Sequence, residues 1–279
     1  MDRYRSLIAA IVVLLVTALA DTAFAAGFHV SPEGTPQGIG TFAKPWDLQT
    51  ALNHPAAVKP GDDIYLHTGI YKGSFTSRLK GTAAAPITVR PFHGEQATLE
   101  CYSANPNEDP LFTVEGQYTI FRGFEVTCRN PLRTTQIQGS SPEQIKRGGI
   151  SCRGTGISFI NLIVHDCANG LGFWADGEGG EIYGCIIYNN GWIGPDRGHG
   201  HGIYTQNKAG TKILADNVIF NQFSHGIHAY GSAQAFLQGF QIEGNVCFNN
   251  GLPAGAIAPD ILIGGECPAR EIALLNNFT

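Results

Sequence analysis

The chain has 279 residues, of which 36 are glycine and only 15% are charged, and its formal net charge is −5. This composition is typical of a turn-rich, strand-rich protein and argues against a helical bundle or a disordered chain. The acidic balance gives no reason to expect a nucleic acid or an anionic membrane as a partner, although a local basic cluster would still bind an acidic polysaccharide.

The N-terminus carries the pattern of an export signal. Arg3 and Arg5 precede an apolar run at 7–20, and the Ala-Phe-Ala sequence at 23–25 provides the small residues that a signal peptidase needs. We predict a signal peptide at residues 1–25, hence a secreted or periplasmic protein without membrane contact after cleavage. A membrane span is the alternative, but an apolar core of about 14 residues is short for one.

The next segment, 26–81, is predicted to form an N-terminal cap and the first coil of a solenoid. A short helix is expected at 45–52, with its proline near the start, and a turn at 59–63 leads into an alternating strand at 64–67. A solenoid needs such a helix because an uncapped end exposes core residues and unpaired strand edges.

From residue 87 onward the chain repeats three kinds of short strand. The first kind begins with a glycine or aspartate followed by an aliphatic residue, and it lies at 149–152, 170–173, 202–205, 226–229 and 260–263. The second lies at 157–160, 181–184, 212–215, 241–244 and 271–274, and the third ends in bends at Asp166, Asn189, Asn221 and Asn249. A strand unit recurring about every 20 to 35 residues predicts stacked coils, because one unit cannot bury its apolar side alone. We predict an all-β parallel β-helix with three short strands per coil.

The bend residues are expected to belong to the scaffold. Asparagine tolerates left-handed backbone, and its side-chain amide is able to bond to the neighbouring coil. Seven cysteines follow the predicted export signal, which permits one or two disulfides, with Cys101–Cys128 the favoured pair. The odd number leaves at least one cysteine unpaired within this chain.

Three segments near the N-terminus carry a family resemblance. Val30-Ser31-Pro32-Glu33-Gly34, Lys44-Pro45-Trp46-Asp47-Leu48 and the stretch 59–71 are similar to the N-terminal region of many secreted members of the pectate-lyase-like superfamily. The resemblance implies a right-handed, carbohydrate-active β-helix with PbH1-type repeats over 82–279. It does not select a reaction, because the superfamily holds lyases, hydrolases, esterases, epimerases and noncatalytic adhesins. The last repeat stops within a third strand, so we expect a chain truncated at its C-terminus.

We aligned the first strand of each repeat, in which a glycine or aspartate precedes an aliphatic residue. The alignment places two columns of side chains on an outward face. The first column contains Ser151, Gly172, Tyr204, His228 and Leu262, and the second contains Arg153, Trp174, Gln206, Tyr230 and Gly264. Coils about 4.8 Å apart would place Tyr204 beside His228 and Gln206 beside Tyr230. His201, in the polar loop at 196–202, is expected to stack near His225. The Gly-His-Gly of this loop also occurs in polygalacturonases, but their other motifs are absent.

These columns suit the contacts and chemistry of a polysaccharide lyase. Such an enzyme needs a base beside a uronate carboxylate, a cation for that carboxylate and an acid for the leaving oxygen. The predicted catalytic residues are His201, Tyr204, His228 and Arg153. Aromatic and polar side chains also suit sugar rings and hydroxyls, and the predicted substrate contacts are Trp174, Gln206, Tyr230, Lys146, Arg147 and His225. We therefore predict β-elimination on an acidic polysaccharide or oligosaccharide.

Two other functions stay open from the sequence. A noncatalytic glycan-binding or cell-surface module fits the lack of a complete catalytic signature. A glycoside hydrolase would use two carboxylates, and the candidates are Asp176, Glu178, Glu181, Asp196 and Asp260. The same acids would suit calcium, but no dense aspartate cluster marks a site, so the cofactor is left open. We expect a monomer.

Overall fold

The structure is a computed structural model that describes residues 25–101, 112–128, 132–139, 148–233, 236–266 and 268–279. The predicted signal peptide, apart from residue 25, lies outside the described residues, as do Lys146 and Arg147. Among the helices that the structure describes, none has the length and apolar character needed to cross a membrane.

The described chain winds through three parallel sheets, with strands numbered in chain order. Sheet 1 contains β1 (Gly27–Val30), β2 (Asp63–Leu66), β5 (Ile87–Pro91), β8 (Thr119–Arg122), β11 (Ser158–Ile160), β14 (Glu181–Tyr183), β19 (Lys212–Ala215), β22 (Gln238–Glu243) and β25 (Arg270–Leu275). Sheet 2 contains β4 (Phe75–Ser77), β7 (Phe112–Val114), β10 (Ile150–Cys152), β13 (Leu171–Phe173), β18 (Ile203–Thr205), β21 (Ile227–Gly231) and β24 (Ile261–Gly265). Sheet 3 contains β3 (Gly69–Lys72), β6 (Ala97–Cys101), β9 (Glu125–Cys128), β12 (Ile163–His165), β15 (Ile186–Tyr188), β20 (Val218–Phe220) and β23 (Val246–Phe248).

Several short elements also lie outside this stack. Strands β16 (Trp192–Ile193) and β17 (Gly198–His199) form an antiparallel hairpin, and a single 3-10 turn covers Leu252–Ala254. Each coil contributes one strand to each sheet, so the predicted all-β solenoid with three short strands per coil is confirmed.

The core is continuous along the stack because one inward position recurs in every coil. In sheet 2, Leu171, Ile203 and Ile227 are register partners, and all three are fully buried. Phenylalanine fills the interior beside them: Phe121 stacks on Phe159 at 5.7 Å, and Phe159 meets Phe173 edge-on at 5.9 Å. The period-two alternation of each strand therefore directs its other side chains outward.

The N-terminal cap is confirmed as a helix, α1 (Leu48–Leu52). Asp47 is its N-cap, and one of its carboxylate oxygens accepts a hydrogen bond from the backbone N–H of Thr50 at 2.9 Å. Leu48 and Leu52 are buried against the first coil. The helix starts later than the predicted 45–52, because the backbone of Trp46 pairs with the first strand instead.

The bends after sheet 3 have left-handed backbone, as predicted, but their side chains do not form the ladder. The φ angles of Asp166, Asn189, Asn221 and Asn249 are 57°, 53°, 55° and 58°. The left-handed residue turns the chain, and the next residue then faces the interior: Asn190, Gln222 and Asn250 are buried there. A second ladder joins buried Asn217 and Asn245 to the partly exposed Asn277 across successive coils.

Loss of one ladder amide is expected to destabilise the fold. Asn245 is fully buried and donates to the carbonyl of Leu214 at 2.8 Å and to Oδ1 of Asn277 at 2.9 Å. In Asn245→Leu the carbonyl of Leu214 loses this donor, and the backbone and side-chain N–H groups of Asn217 lose Oδ1 of Asn245 as their acceptor. The free energy of unfolding should therefore fall by about 1 to 3 kcal/mol. Urea denaturation measures this, with the exposed Asn53→Leu as a matched control. Equal losses in both variants would contradict a structural role for the ladder.

The cysteines that the structure describes fill interior positions. Cys152, Cys185 and Cys247 are buried and outside any disulfide, and burial raises the pKa of each thiol to about 12. Cys101 and Cys128 are register partners on neighbouring strands of sheet 3. Their disulfide stays a prediction, because the side chain of Cys101 lies outside the described part of the chain.

Candidate active site

A cleft of about 900 Å³ lies over the outward face of sheet 2. Strands β10, β13, β18 and β21 form its floor, and the hairpin of β16 and β17 forms one wall. Most of the predicted site residues line this cleft: Arg153, Trp174, His201, Tyr204, His225, His228 and Tyr230. Sequence alignment of the coils therefore located the concave face of the molecule.

The register of sheet 2 creates an aromatic cluster in this cleft. Tyr204 and His228 are paired across β18 and β21, and their rings stack at 5.0 Å with an interplanar angle of 16°. Tyr230 follows two residues later and contacts His228 at 5.1 Å. His201 and His225 stack at 5.3 Å, as the sequence predicted.

The position of Trp174 depends on Gly172, which belongs to the first outward column. A side chain at position 172 would begin 2.8 Å from the indole ring, so only glycine leaves room for Trp174 to lie across β13. The indole Nε1 donates to Oγ of Ser151 at 2.9 Å. Gln206, in contrast, does not line the cleft, because its side-chain amide donates to the backbone carbonyl of Tyr230 at 3.4 Å.

Hydrogen bonds define the proton positions on the three clustered imidazoles. The backbone N–H of His225 donates to Nδ1 of His201 at 3.3 Å, so His201 carries its proton on Nε2. That Nε2 lies 3.1 Å from Nδ1 of His228, which must accept, and His228 then has a donor at Nε2. Nδ1 of His225 lies 3.1 Å from the carbonyl of Pro259 and must donate to it. Nε2 of His225 therefore keeps a lone pair, for which the described residues provide no donor.

All three imidazoles are held neutral. Burial is the main cause and lowers the pKa of His201 well below its ordinary value, that of His228 to about 4, and that of His225. The neighbouring imidazoles add to the effect at His201 and His228, and the positive charge of Arg197 lowers the pKa of all three. A neutral imidazole with a lone pair is a competent general base near neutral pH.

These pKa shifts predict a pH-dependent stability. Unfolded histidines take up protons below about pH 6.5, whereas folded His228 resists protonation until about pH 4, so the unfolded state binds more protons in this window. The free energy of unfolding should therefore fall as pH decreases from 6.5 to 4, by on the order of 3 kcal/mol for His228 alone. Urea denaturation across this range should show a flatter dependence in His228→Phe and an unchanged one in His93→Phe. Parallel curves for His228→Phe and the wild type would contradict the shift.

The hairpin places a cation beside the histidines. His199 is buried at its base, stacks on Trp192 at 5.0 Å, and has Nε2 3.0 Å from a carboxylate oxygen of Asp196. Arg133 holds the hairpin from below through the carbonyl of Gly191 at 2.8 Å. This framework presents Arg197 at the exposed tip, where it lines the cleft. The sequence marked the loop as polar, but nothing in it distinguished Arg197 as a site residue.

Arg153 lies at the other end of the cleft. It is exposed, 3.5 Å from the carboxylate of Asp176, and 6.0 Å from the centre of the Trp174 ring. Its strand is three positions from β21, which corresponds to about 14 Å along the stack. Arg153 and His228 are therefore separate parts of one long cleft rather than neighbours in a single site.

The candidate acids are also dispersed. Asp176 contacts Lys208 at 2.5 Å, and hydrogen bonding from Lys208 lowers the pKa of its carboxyl. Asp196 bonds to His199, which likewise lowers its pKa, and Asp260 accepts from the side-chain amide of Asn250. Among the residues described, no group of three or more His, Cys, Asp or Glu is arranged to hold a metal ion.

A family model described as "Right handed beta helix region" matches residues 119–261, which is more than half of the chain. The chain belongs to the right-handed β-helix family. Over 91 residues this β-helix is 32% identical to pectate lyase PEL9 of Emericella nidulans, a stretch that covers 32% of this chain and 22% of that protein. The predicted pectate-lyase-like architecture is thereby confirmed.

Solved structures agree on the fold. Pectate lyase Pel9A superposes with a TM-score of 0.64 at 22% identity, covering 90% of this chain and 61% of that one. A rhamnogalacturonan lyase gives 0.69 at 18% identity, covering 91% and 66%. An alginate lyase from Paenibacillus sp. str. FPU-7 gives 0.51 at 19% identity, covering 91% and 99%. This β-helix thus spans less than two thirds of the first two structures and nearly the whole length of the third.

Proposed function

We propose that this β-helix is a secreted polysaccharide lyase that cleaves an acidic glycan by β-elimination in the cleft over sheet 2. The observation that carries the proposal is the hydrogen bond from Nδ1 of His225 to the carbonyl of Pro259, which leaves a lone pair on Nε2 of neutral His225. Tyr204 and Arg197 line the same cleft. The proposed base, acid and cation all line the one cleft in which we place the uronate.

Each step of the proposed reaction has a candidate residue. Arg197 pairs with the uronate carboxylate and lowers the cost of charge that develops beside it. Nε2 of His225 takes the proton from the carbon next to the carboxylate, and the electrons of that C–H bond form a carbon–carbon double bond. The glycosidic C–O bond breaks, and its oxygen receives a proton from the hydroxyl of Tyr204. Burial raises the pKa of Tyr204, which keeps this proton available near neutral pH.

The outer part of the cleft would bind neighbouring sugars. Trp174 offers an aromatic surface to a sugar ring, and Arg153 beside it would pair with a second carboxylate. Pectate, rhamnogalacturonan and alginate, the substrates in the relatives' names, are all acidic polysaccharides. That agreement supports an acidic glycan as the substrate class, and the export predicted from residues 1–25 would bring the enzyme to it.

The direct test is incubation of the purified protein with pectate, rhamnogalacturonan, alginate and glycosaminoglycans. A lyase produces unsaturated uronate ends, so we expect ultraviolet absorbance to grow together with the number of new chain ends. New reducing ends without this absorbance would instead indicate a hydrolase. Inactivity on all four substrates, with the protein shown to be folded, would overturn the lyase proposal.

A noncatalytic glycan-binding module is the second candidate. Arg153 lies at the end of the cleft away from the histidines, and together with the adjacent Trp174 it would bind an acidic sugar without their help. Binding on a glycan array without turnover would favour this function. Loss of turnover with retained binding in His225→Ala would reject it.

A further inference from the structure

A lysine occupies the interior of the coil directly behind the cleft. Lys212 begins β19, is fully buried, and projects inward with the same phase as Leu214. Its ammonium lies 3.8 Å from the centre of the Phe173 ring. A buried cation is costly unless its hydrogen bonds are satisfied, so its contacts indicate what it stabilises.

The ammonium of Lys212 donates to backbone carbonyls at the ends of two neighbouring sheet 2 strands. The acceptors are the carbonyls of Trp174 at 3.0 Å and Gln206 at 2.6 Å, together with that of Phe173 at 3.3 Å. Trp174 directly follows β13 and Gln206 directly follows β18. The side chains of Trp174 and Gln206 are partly exposed on the outer surface, whereas the ring of Phe173 is buried against the ammonium.

The residues held by Lys212 connect it to two aromatic side chains of the cleft, Trp174 itself and Tyr230. Trp174 lies on the cleft floor, where its indole contacts Tyr204 edge-on at 5.3 Å. The side chain of Gln206 bonds to the backbone of Tyr230, which is one coil further on. The buried amine of Lys212, whose pKa burial lowers to about 7, therefore links the ends of β13 and β18 and, through Gln206, the end of β21. The two aromatic residues lie two coils apart, which is about 10 Å along the stack.

We propose that Lys212 is a positioning residue that holds Trp174 and Tyr230 at a fixed separation for successive sugars of the glycan. The identity of that ligand rests on the proposed function, but the positioning itself does not. A hydrophobic residue of similar length fills the same space without ordering the carbonyls. Lys212→Met is therefore the informative substitution, and Lys212→Arg is the conservative one because it keeps the charge and the donors.

The first measurement needs no substrate. Of the three tryptophans, Trp46 and Trp192 are only 6% and 3% exposed, so quenching of fluorescence by iodide reports mainly on Trp174. We expect quenching to increase in Lys212→Met and to stay near the wild-type value in Lys212→Arg. Asn245→Leu supplies a matched control, since it also removes a buried donor but lies away from the cleft. Unchanged quenching in Lys212→Met, or an equal change in Asn245→Leu, would overturn the proposal.

The second measurement uses an acidic oligosaccharide. We expect KM to rise about tenfold in Lys212→Met with little change in kcat, because the misplaced residues bind sugar and do not transfer protons. If the protein is not a lyase, the dissociation constant for the same oligosaccharide replaces KM, so failure of the proposed function leaves this test intact. A fall in kcat at constant KM would overturn the positioning role. If Lys212→Met does not fold, Lys212→Gln, which keeps a donor, serves in both measurements with the same expectations in direction.

Discussion

Replacement of His225 by alanine is expected to lower kcat by about 10²- to 10⁴-fold, the usual contribution of a general base. The reason is structural: in the hydrogen-bond chain, Nε2 of His201 and Nε2 of His228 carry protons, and only Nε2 of His225 keeps a lone pair among the three. Initial rates of unsaturated product formation measure the loss, and the affinity for the oligosaccharide should change much less.

His93→Ala is the matched control for this substitution. His93 is exposed on the sheet 1 side of the molecule and contacts Phe92 rather than any cleft residue, so its variant should keep the wild-type rate. Full loss of activity in His228→Ala, with His225→Ala active, would contradict the assignment. It would mean that the reaction depends on His228 rather than on His225.

Replacement of Arg197 by glutamine is expected to lower kcat/KM by about 10²- to 10³-fold, because the developing charge beside the uronate carboxylate would lose its cation. Arg197→Lys keeps the charge but not the planar pair of donors, so it should retain part of the activity.

The Arg197→Gln variant should also have a changed pH dependence. Arg197 lowers the pKa of His225, so its removal should shift the acid limb of the pH–rate profile toward higher pH.

Arg122→Gln provides the control for this variant, since Arg122 is exposed on sheet 1. Kinetics on an acidic glycan and on its methyl-esterified form would separate charge neutralisation from general binding. We expect the loss in Arg197→Gln to be large only on the acidic form. A larger loss in Arg153→Gln than in Arg197→Gln would assign carboxylate neutralisation to the other end of the cleft.

The outward columns were predictable because strand geometry is periodic. Once one residue of a strand is aligned with its partner in the next coil, the following residues are aligned as well. Pairing Ile203 with Ile227 was therefore enough to place Tyr204 beside His228. The left-handed bends at Asn189 and Asn221 were predictable for a similar reason, since few residues other than glycine and asparagine adopt that backbone.

The proton chain and the hairpin were not predictable from any local pattern. Arg197 reaches the cleft through a loop whose path depends on the stacking of His199 on Trp192 and on the contact of Arg133 with Gly191. These partners are distant in sequence or lie in an irregular segment, where no period relates one residue to the next. The role proposed for His225 likewise depends on the carbonyl of Pro259, which lies one coil away.

Lys212 shows most clearly where local and tertiary information diverge. Its position in β19, two residues before Leu214, gives it an inward phase, yet a lysine is ordinarily an exposed residue. Only the stacking of β13 and β18 brings enough carbonyl oxygens together to bind a buried ammonium. The sequence by itself determined the coils, their register and the face that bears the cleft, because these follow from repeated local geometry. The tertiary structure decided which side chains share protons and charge, because those contacts join loops and coils that the repeat does not relate.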